Sequence, residues 1–366
     1  LSSVIPLTHG KSFNNRIYYL RAKVPQNQDL KYSLLSFDDV ELVLKVNGRF
    51  FGESKIQNEV ACLCMIQALP VYIPVPRVIA WSDDGETVNC ILPGGKTMQV
   101  SHSSSIRNVT TKRGWILMTK LKGDPIAVDT LRQEDIQNLA IQLADIVANW
   151  RTNLPAAVNC GNISIVGADQ DSASVFKTTP SSIQGLSFAI GTSILGNDLQ
   201  FSSPVSSMYE YFHLKLEDRL DKLNTLGPME ENRHLVPSIK EFIEITLPKL
   251  QIFTQHTEEE GEFVFTHYDL APRNVLVSGN PPQITGIVDF EFAGYFPDLE
   301  EFLNDANNNF GDWPSSFYDA YLHHLEILGV ATPLSGTSAY KVGTAYSTMV
   351  ARRGSKGSQR VEERRK

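Results

Sequence analysis

Along the first third of the chain, apolar residues fall into short runs bounded by polar and turn residues. A polar, Gly-containing turn in LTHGKSFNNRIYYL (residues 7–20) feeds Ile17-Tyr18-Tyr19-Leu20. VELVLKV (40–46) and GWILMT (114–119) have the same character, and each run predicts a strand. Between them, ESKIQNEVACLCMIQAL (53–69) sets Ile56, Val60, Leu63 and Ile66 at helical spacing, which predicts a helix stopped by Pro70. IPVPRVIAW (73–81) reads as extended, because proline pushes its predecessor out of the helical region. Residues 82–113 are polar, contain Pro93-Gly94-Gly95 and Ser103-Ser104-Ser105, and predict an inserted hairpin or mobile loop. Beyond residue 120 the period becomes helical, over Gln133–Trp150, Ser207–Leu223, Val236–Phe253 and Phe317–Leu328. Residues 155–206 are rich in Ser, Gly and Asn, are weakly patterned, and read as loops.

One later stretch is patterned differently. Phe265 to Glu301 reads FTHYDLAPRNVLVSGNPPQITGIVDFEFAGYFPDLEE. Two apolar runs, Val275–Val277 and Ile284–Val288, flank the turn cluster Ser278-Gly279-Asn280-Pro281-Pro282, which predicts an antiparallel hairpin. Asn274 immediately precedes the first strand and Asp289 follows the second, so the pairing returns both to one end. Asp269 stands on the loop just before them. A carboxylate and an amide oxygen converging in this way suit Mg²⁺, which takes one or two carboxylates together with phosphate oxygens. A neighbouring carboxylate that holds no metal is left to orient a hydroxyl. Phosphoryl transfer needs these parts, since its catalysis is mostly positioning and charge neutralisation.

Lys45 sits mid-strand among apolar neighbours, and Glu59 lies on or beside the packed face of the helix that follows. A carboxylate there needs a partner, and Lys45 is the candidate. His323 and His324 are adjacent on a helix and face differently, which argues against a metal pair.

The segments THYDLAPRNVLV and ITGIVDFEFAGYFP resemble the catalytic core of the aminoglycoside phosphotransferase family, within the protein-kinase-like superfamily. That family usually has Gly where Tyr268 stands. Protein kinases have Arg there, and Gly in place of Glu291. The resemblance implies a two-lobed α+β, protein-kinase-like fold: an antiparallel-sheet, nucleotide-binding lobe over 1–119 and a mainly helical catalytic and acceptor-binding lobe over 120–345, which leaves 346–366 as a basic tail. It implies transfer of the ATP γ-phosphate to a hydroxyl of a small molecule. Asp269 would be the catalytic residue, Asn274 and Asp289 would hold Mg²⁺, and Lys45 positioned by Glu59 would bind phosphates. His267 would support the loop. Gly10 and Ser12 match the family's nucleotide loop before Asn15-Arg16-Ile17-Tyr18, and Met118 occupies the hinge where adenine binds. Gly10-Lys11-Ser12 also mimics the end of a P-loop, but Ile5 stands where the earlier glycine is required. Two alternatives stay open at this point, a protein kinase and a non-catalytic nucleotide-binding module that keeps only the fold.

Composition narrows partners more than chemistry. The net charge of -8 gives no reason to expect nucleic acid, and 42% hydrophobic with 20% charged residues is ordinary for a globular protein. No apolar run approaches the roughly 18 residues of a membrane span. No signal peptide is visible at the start. The four cysteines lack metal-ligand spacing and read as reduced thiols of a cytoplasmic protein. From Ala351 onward seven basic and two acidic residues read as a disordered tail. The acceptor and the oligomeric state leave no signature.

Overall fold

Strand β3 (Val40–Asn47) is paired along both edges, with β2 (Asn15–Ala22) on one side and β7 (Trp115–Thr119) on the other. Ile17 and Ile116 are the partners of Lys45, which places the lysine in the interior of the sheet. The complete sheet also contains β1 (Ser3–Pro6), β4 (Val78–Ser82), β5 (Thr87–Ile91) and β6 (Thr97–Ser101). Its order is β1-β2-β3-β7-β4-β5-β6, antiparallel throughout. The computed structural model describes residues 3–7, 15–22, 40–48, 52–92, 97–101, 113–166, 186–249, 263–303 and 313–332. The polar 82–113 stretch therefore contributes a hairpin, β5–β6, that widens the sheet. Gly10, Ser12 and the basic tail lie outside the described residues.

Helix α1 (Ser54–Gln67) packs beside this sheet, and its environment corrects the one-faced pattern expected for it. Lys55, Ile56 and every residue from Asn58 to Ile66 are buried, so Ala61, Cys62, Cys64 and Met65 are enclosed as well. The Cys62 and Cys64 thiols are therefore core residues, and burial pushes Cys64 up to about 12.

The remaining chain is mainly helical. α2 (Gln133–Asn153) carries Glu134 and Asp135 in its first turn and Arg151 in its last, matching the helix dipole. α3 (Met208–Thr225) opens on Ser207, whose hydroxyl accepts from the Glu210 N–H at 3.1 Å. α4 (Val236–Glu241) runs into a π-type turn at Phe242–Thr246 and a 3₁₀ turn at Leu247–Lys249. Pro248 has no N–H to continue an α-helix there. α5 (Glu300–Leu303) is short, and α6 (Ser315–Ile327) packs on α2.

Residues 155–206 are not all loop. β9 (Gly161–Val166) pairs with β10 (Ser187–Ile190), and β11 (Ser193–Ile194) pairs with β12 (Leu199–Gln200). β9 also pairs with β16 (Gly294–Pro297), which pairs in turn with β13 (Phe263–Thr266). Distant partners, rather than local propensity, fix these short strands. A third small sheet joins β8 (Asp124–Pro125), β14 (Val275–Ser278) and β15 (Gln283–Ile287).

One side chain ties α1 to this second half. The Asn58 amide nitrogen lies 3.4, 3.0 and 2.9 Å from the carbonyls of Phe290, Glu291 and Ala293, and its amide oxygen accepts from the Ile163 N–H at 2.6 Å. Asn58 is fully buried, so Asn58→Ala strands several buried backbone groups. The expected cost is about 2–4 kcal/mol, read as a lowered denaturation midpoint with an unchanged slope.

Candidate active site

The hairpin of β14 and β15 has the expected open end. Val275 faces Ile287, and the Val288 N–H donates to the Asn274 carbonyl at 2.9 Å. Asp289 follows in the left-handed region, at φ 70°, and turns the chain into the Phe290–Phe292 turn. Asp tolerates this conformation better than most residues. Asp269 lies five residues before Asn274. Its Oδ2 accepts from the Asn274 amide at 3.0 Å, its carbonyl accepts from the same amide at 2.7 Å, and its Oδ1 pairs with Arg273. The carboxylate is thus held from two sides.

His267 is a core residue beneath this loop. Its Nδ1 accepts from the Asp269 N–H at 3.3 Å, which leaves the proton on Nε2, 3.1 Å from the Val288 carbonyl. The neutral ring therefore links the two halves of the site. Burial pushes its pKa down to about 4. Its backbone N–H donates to Glu301 Oε2 at 3.0 Å, and Arg151 stands 3.7 Å from the same oxygen. Burial raises Glu301 to about 7 against the pull of these partners.

Lys45 binds the sheet, α1 and the hairpin together. Its Nζ lies 2.6 Å from Glu59, 2.6 Å from Asp289 and 2.9 Å from Glu291. Glu291 also meets Lys55 at 3.2 Å and accepts from Asn15 at 2.7 Å. Two ammonium groups thus face three carboxylates, a surplus of one negative charge when all are ionised. Burial opposes charge on Glu291, yet Lys45 and Lys55 hold it at about 2. Glu59 moves the other way, to about 7, because burial and the neighbouring carboxylates outweigh Lys45. For Lys45 itself, burial is outweighed by Asp289, Glu291 and Glu59, so its pKa rises and the ammonium stays charged.

Oxygen atoms of Glu59, Asp289 and Glu291 lie within 4.8 Å of one another, and the Lys45 ammonium sits among them as the cation of the set. The side chains of Glu59 and Glu291 are each 2% exposed, whereas that of Asp289 is 35% exposed. Asp289 is therefore the member of the set that an incoming ligand can reach. Asn274 has its amide nitrogen turned to Asp269, which makes its oxygen the atom left for a metal.

The structure brings Lys45, Glu59 and Asp289 into one ion cluster and bonds Asp269 to Asn274. Met118 is buried on β7 opposite Val43. Glu291 and Lys55 enter the cluster without having been assigned to it from sequence. Their signal was faint: a second acid two residues after Asp289, and a lysine in the first turn of a buried helix.

Residues 34–341 match the phosphotransferase enzyme family. No curated protein matches the chain by overall sequence. Among solved structures, the gentamicin complex of APH(2")-IIa is 13% identical, with a TM-score of 0.51 over 94% of this chain and 80% of that chain. The streptomycin–ATP ternary complex of APH(2")-IIa gives 13%, 0.50, 94% and 81%. A thermostable mutant of aminoglycoside phosphotransferase APH(4)-Ia with AMP-PNP and hygromycin B gives 12%, 0.51, 97% and 86%. At these identities the likeness is one of fold.

The His267 ring yields a pH prediction. Unfolded, it binds a proton below 6.5; folded, it stays neutral to about 4. The stability tied to the neutral ring is present above pH 6.5 and lost as pH falls towards 4. That interval is worth about 3 kcal/mol. Unfolding curves measured across it should show wild type losing more stability than His267→Gln by about that amount.

Proposed function

The chain belongs to the phosphotransferase enzyme family, and on that premise we propose that it transfers the γ-phosphate of ATP to a hydroxyl of a small molecule, with Mg²⁺. The observation that carries this reading is the Lys45 ammonium between buried Glu59 and partly exposed Asp289, beside a loop that offers Asp269. The reading includes two lobes, 1–119 and 120–345, with nucleotide between them and Met118 on the wall of its pocket. It also includes a cytoplasmic setting for the reduced thiols. No helix of the described residues is long and apolar enough to cross a membrane.

In this reading the Lys45 ammonium turns from Asp289 to the α- and β-phosphates, while Glu59 and Glu291 keep hold of it from behind. Asp289 and the Asn274 amide oxygen would hold Mg²⁺. The bound metal supplies neutralisation of charge on the phosphate oxygens. Asp269 orients the acceptor hydroxyl. A carboxylate offers about four lone-pair sites, so the bonds to Arg273 and Asn274 leave room for the acceptor proton. The acceptor oxygen bonds to the γ-phosphorus, its proton passes to Asp269, and the bond to the β-phosphate oxygen breaks to release ADP. Gentamicin, streptomycin and hygromycin B in the similar structures support a small-molecule acceptor over a protein.

A screen of hydroxyl compounds by ADP release tests the reading directly; no release with any of them, in a protein that binds ATP, overturns it. Given an acceptor, Asp269→Asn should lower kcat by about 10²–10⁴-fold while ATP binding survives. Turnover near wild type would remove Asp269 from the role. Asp289→Ala should abolish the Mg²⁺ dependence of ATP binding in calorimetric titration, and Asn274→Ala should weaken it less, since an amide opposes a divalent cation with a dipole only. An unchanged Mg²⁺ effect in folded Asp289→Ala would take Asp289 out of the metal site.

A further inference from the structure

Tyr268 occupies the position immediately before Asp269 with φ at 70°, a left-handed conformation that bulky residues rarely adopt. Glycine would take it without strain. The side chain that imposes this cost is buried and reaches away from the Lys45 cluster into the helical half. Its hydroxyl donates to the Asn197 amide oxygen and accepts from Lys215 Nζ at 3.1 Å. Its ring packs on Phe296 with centroids 4.7 Å apart, and Lys215 Nζ lies 5.5 Å from its centre.

These contacts are themselves anchored. Lys215 is buried on α3, pairs with Glu300 at 2.7 Å and lies 3.5 Å from the Tyr211 hydroxyl. Asn197 sits in the turn that links β11 to β12. The carbonyls of Asn197 and Asp198 accept from Lys222 of α3 at 2.9 and 3.5 Å. The Leu195 N–H of the same turn donates to Asn162, whose amide nitrogen donates to the carbonyls of Phe292 and Ala293. Gly196 lies so close to the Tyr268 ring that a side chain there would approach Cε1 to 2.8 Å. The 193–200 hairpin is thus fastened to α3, to the segment after Asp289 and to the catalytic loop. Tyr268 makes the last of these links.

We propose that Tyr268 is a positioning residue for Asp269, tethering the catalytic loop to the 193–200 hairpin and to the buried Lys215–Glu300 pair. A strained backbone position next to the reacting carboxylate persists when the surroundings over-determine it. Here the Tyr268 side chain adds to the hold that His267, Asn274 and Arg273 already have on the loop. The tether fixes the direction in which Asp269 leaves the loop, and it makes that direction depend on the hairpin. The assignment of Asp269 to the acceptor rests on the phosphotransferase reading; the tether rests on geometry alone.

The test compares full-length wild type, Tyr268→Gly and Tyr268→Phe by hydrogen exchange and by ADP release. The glycine variant removes the tether while easing the backbone; the phenylalanine variant keeps the ring and removes the hydroxyl. Expected for Tyr268→Gly is faster exchange, by about tenfold or more, in peptides spanning 193–200 and 267–274. Its kcat should fall by about 10–100-fold with KM for ATP within about twofold of wild type, since small misplacement of a catalytic group acts on turnover. Tyr268→Phe should lie between the two. Wild-type exchange in both segments together with wild-type kcat, in either folded variant, overturns the proposal. If Tyr268→Gly fails to fold, Tyr268→Phe decides on the same readouts. Should wild type release no ADP with any acceptor, the phosphotransferase reading fails, and the exchange of the two segments still decides whether the tether exists.

Discussion

The desolvated ammonium of Lys45 is the constraint on which the site depends. Burying one charge without partners costs several kcal/mol at least, so the chain must deliver carboxylates to it from two separate places. β3 supplies the lysine, α1 supplies Glu59, and the segment after β15 supplies Asp289 and Glu291. Within the intact cluster, burial and the neighbouring carboxylates raise Glu59, while Lys45 and Lys55 hold Glu291 low against its own burial. Such a cluster adds little net stability over apolar packing of similar volume. What it fixes is the relative placement of three segments, with Lys45 and Asp289 separated by 244 positions in sequence.

Asn58 and Asn162 perform the same task with neutral groups. Both direct amide nitrogens at carbonyls of the Phe290–Ala293 segment, and both use their amide oxygens on backbone N–H groups elsewhere. The backbone after Asp289 is therefore held by side chains from α1 and β9, beyond its own turn. The segment that follows the accessible Asp289 carboxylate is in this way tied to two distant elements.

The β14–β15 hairpin was legible in sequence because the turn cluster and apolar runs determine it locally. Lys45 and Glu59 were legible because charged residues amid apolar periodicity demand a partner. Strands β9 to β12 were not: Ile163, Ile165, Phe188 and Ile190 suit strands, but the elements are short, lie among Ser, Gly and Asn, and β9 takes a partner as distant as β16. Nor were Lys55, Asn58 or the side-chain role of Tyr268. Their value lies in long-range hydrogen bonds and ion pairs, and a buried asparagine in a helix looks, from its neighbours alone, like a polar interruption. The family match and the antiparallel sheet agree with the kinase-like reading of the motif.

The enclosure of α1 bears on control. Swinging this helix outward, and so parting Glu59 from Lys45, would expose Ile56, Val60, Leu63, Met65 and Ile66 to water. At about 1.5–3 kcal/mol for each side chain that is roughly 7–15 kcal/mol, comparable to the whole stability of a typical domain. A displaced-helix off-state is therefore no more accessible than unfolding, and the folded chain holds its ion pair permanently assembled.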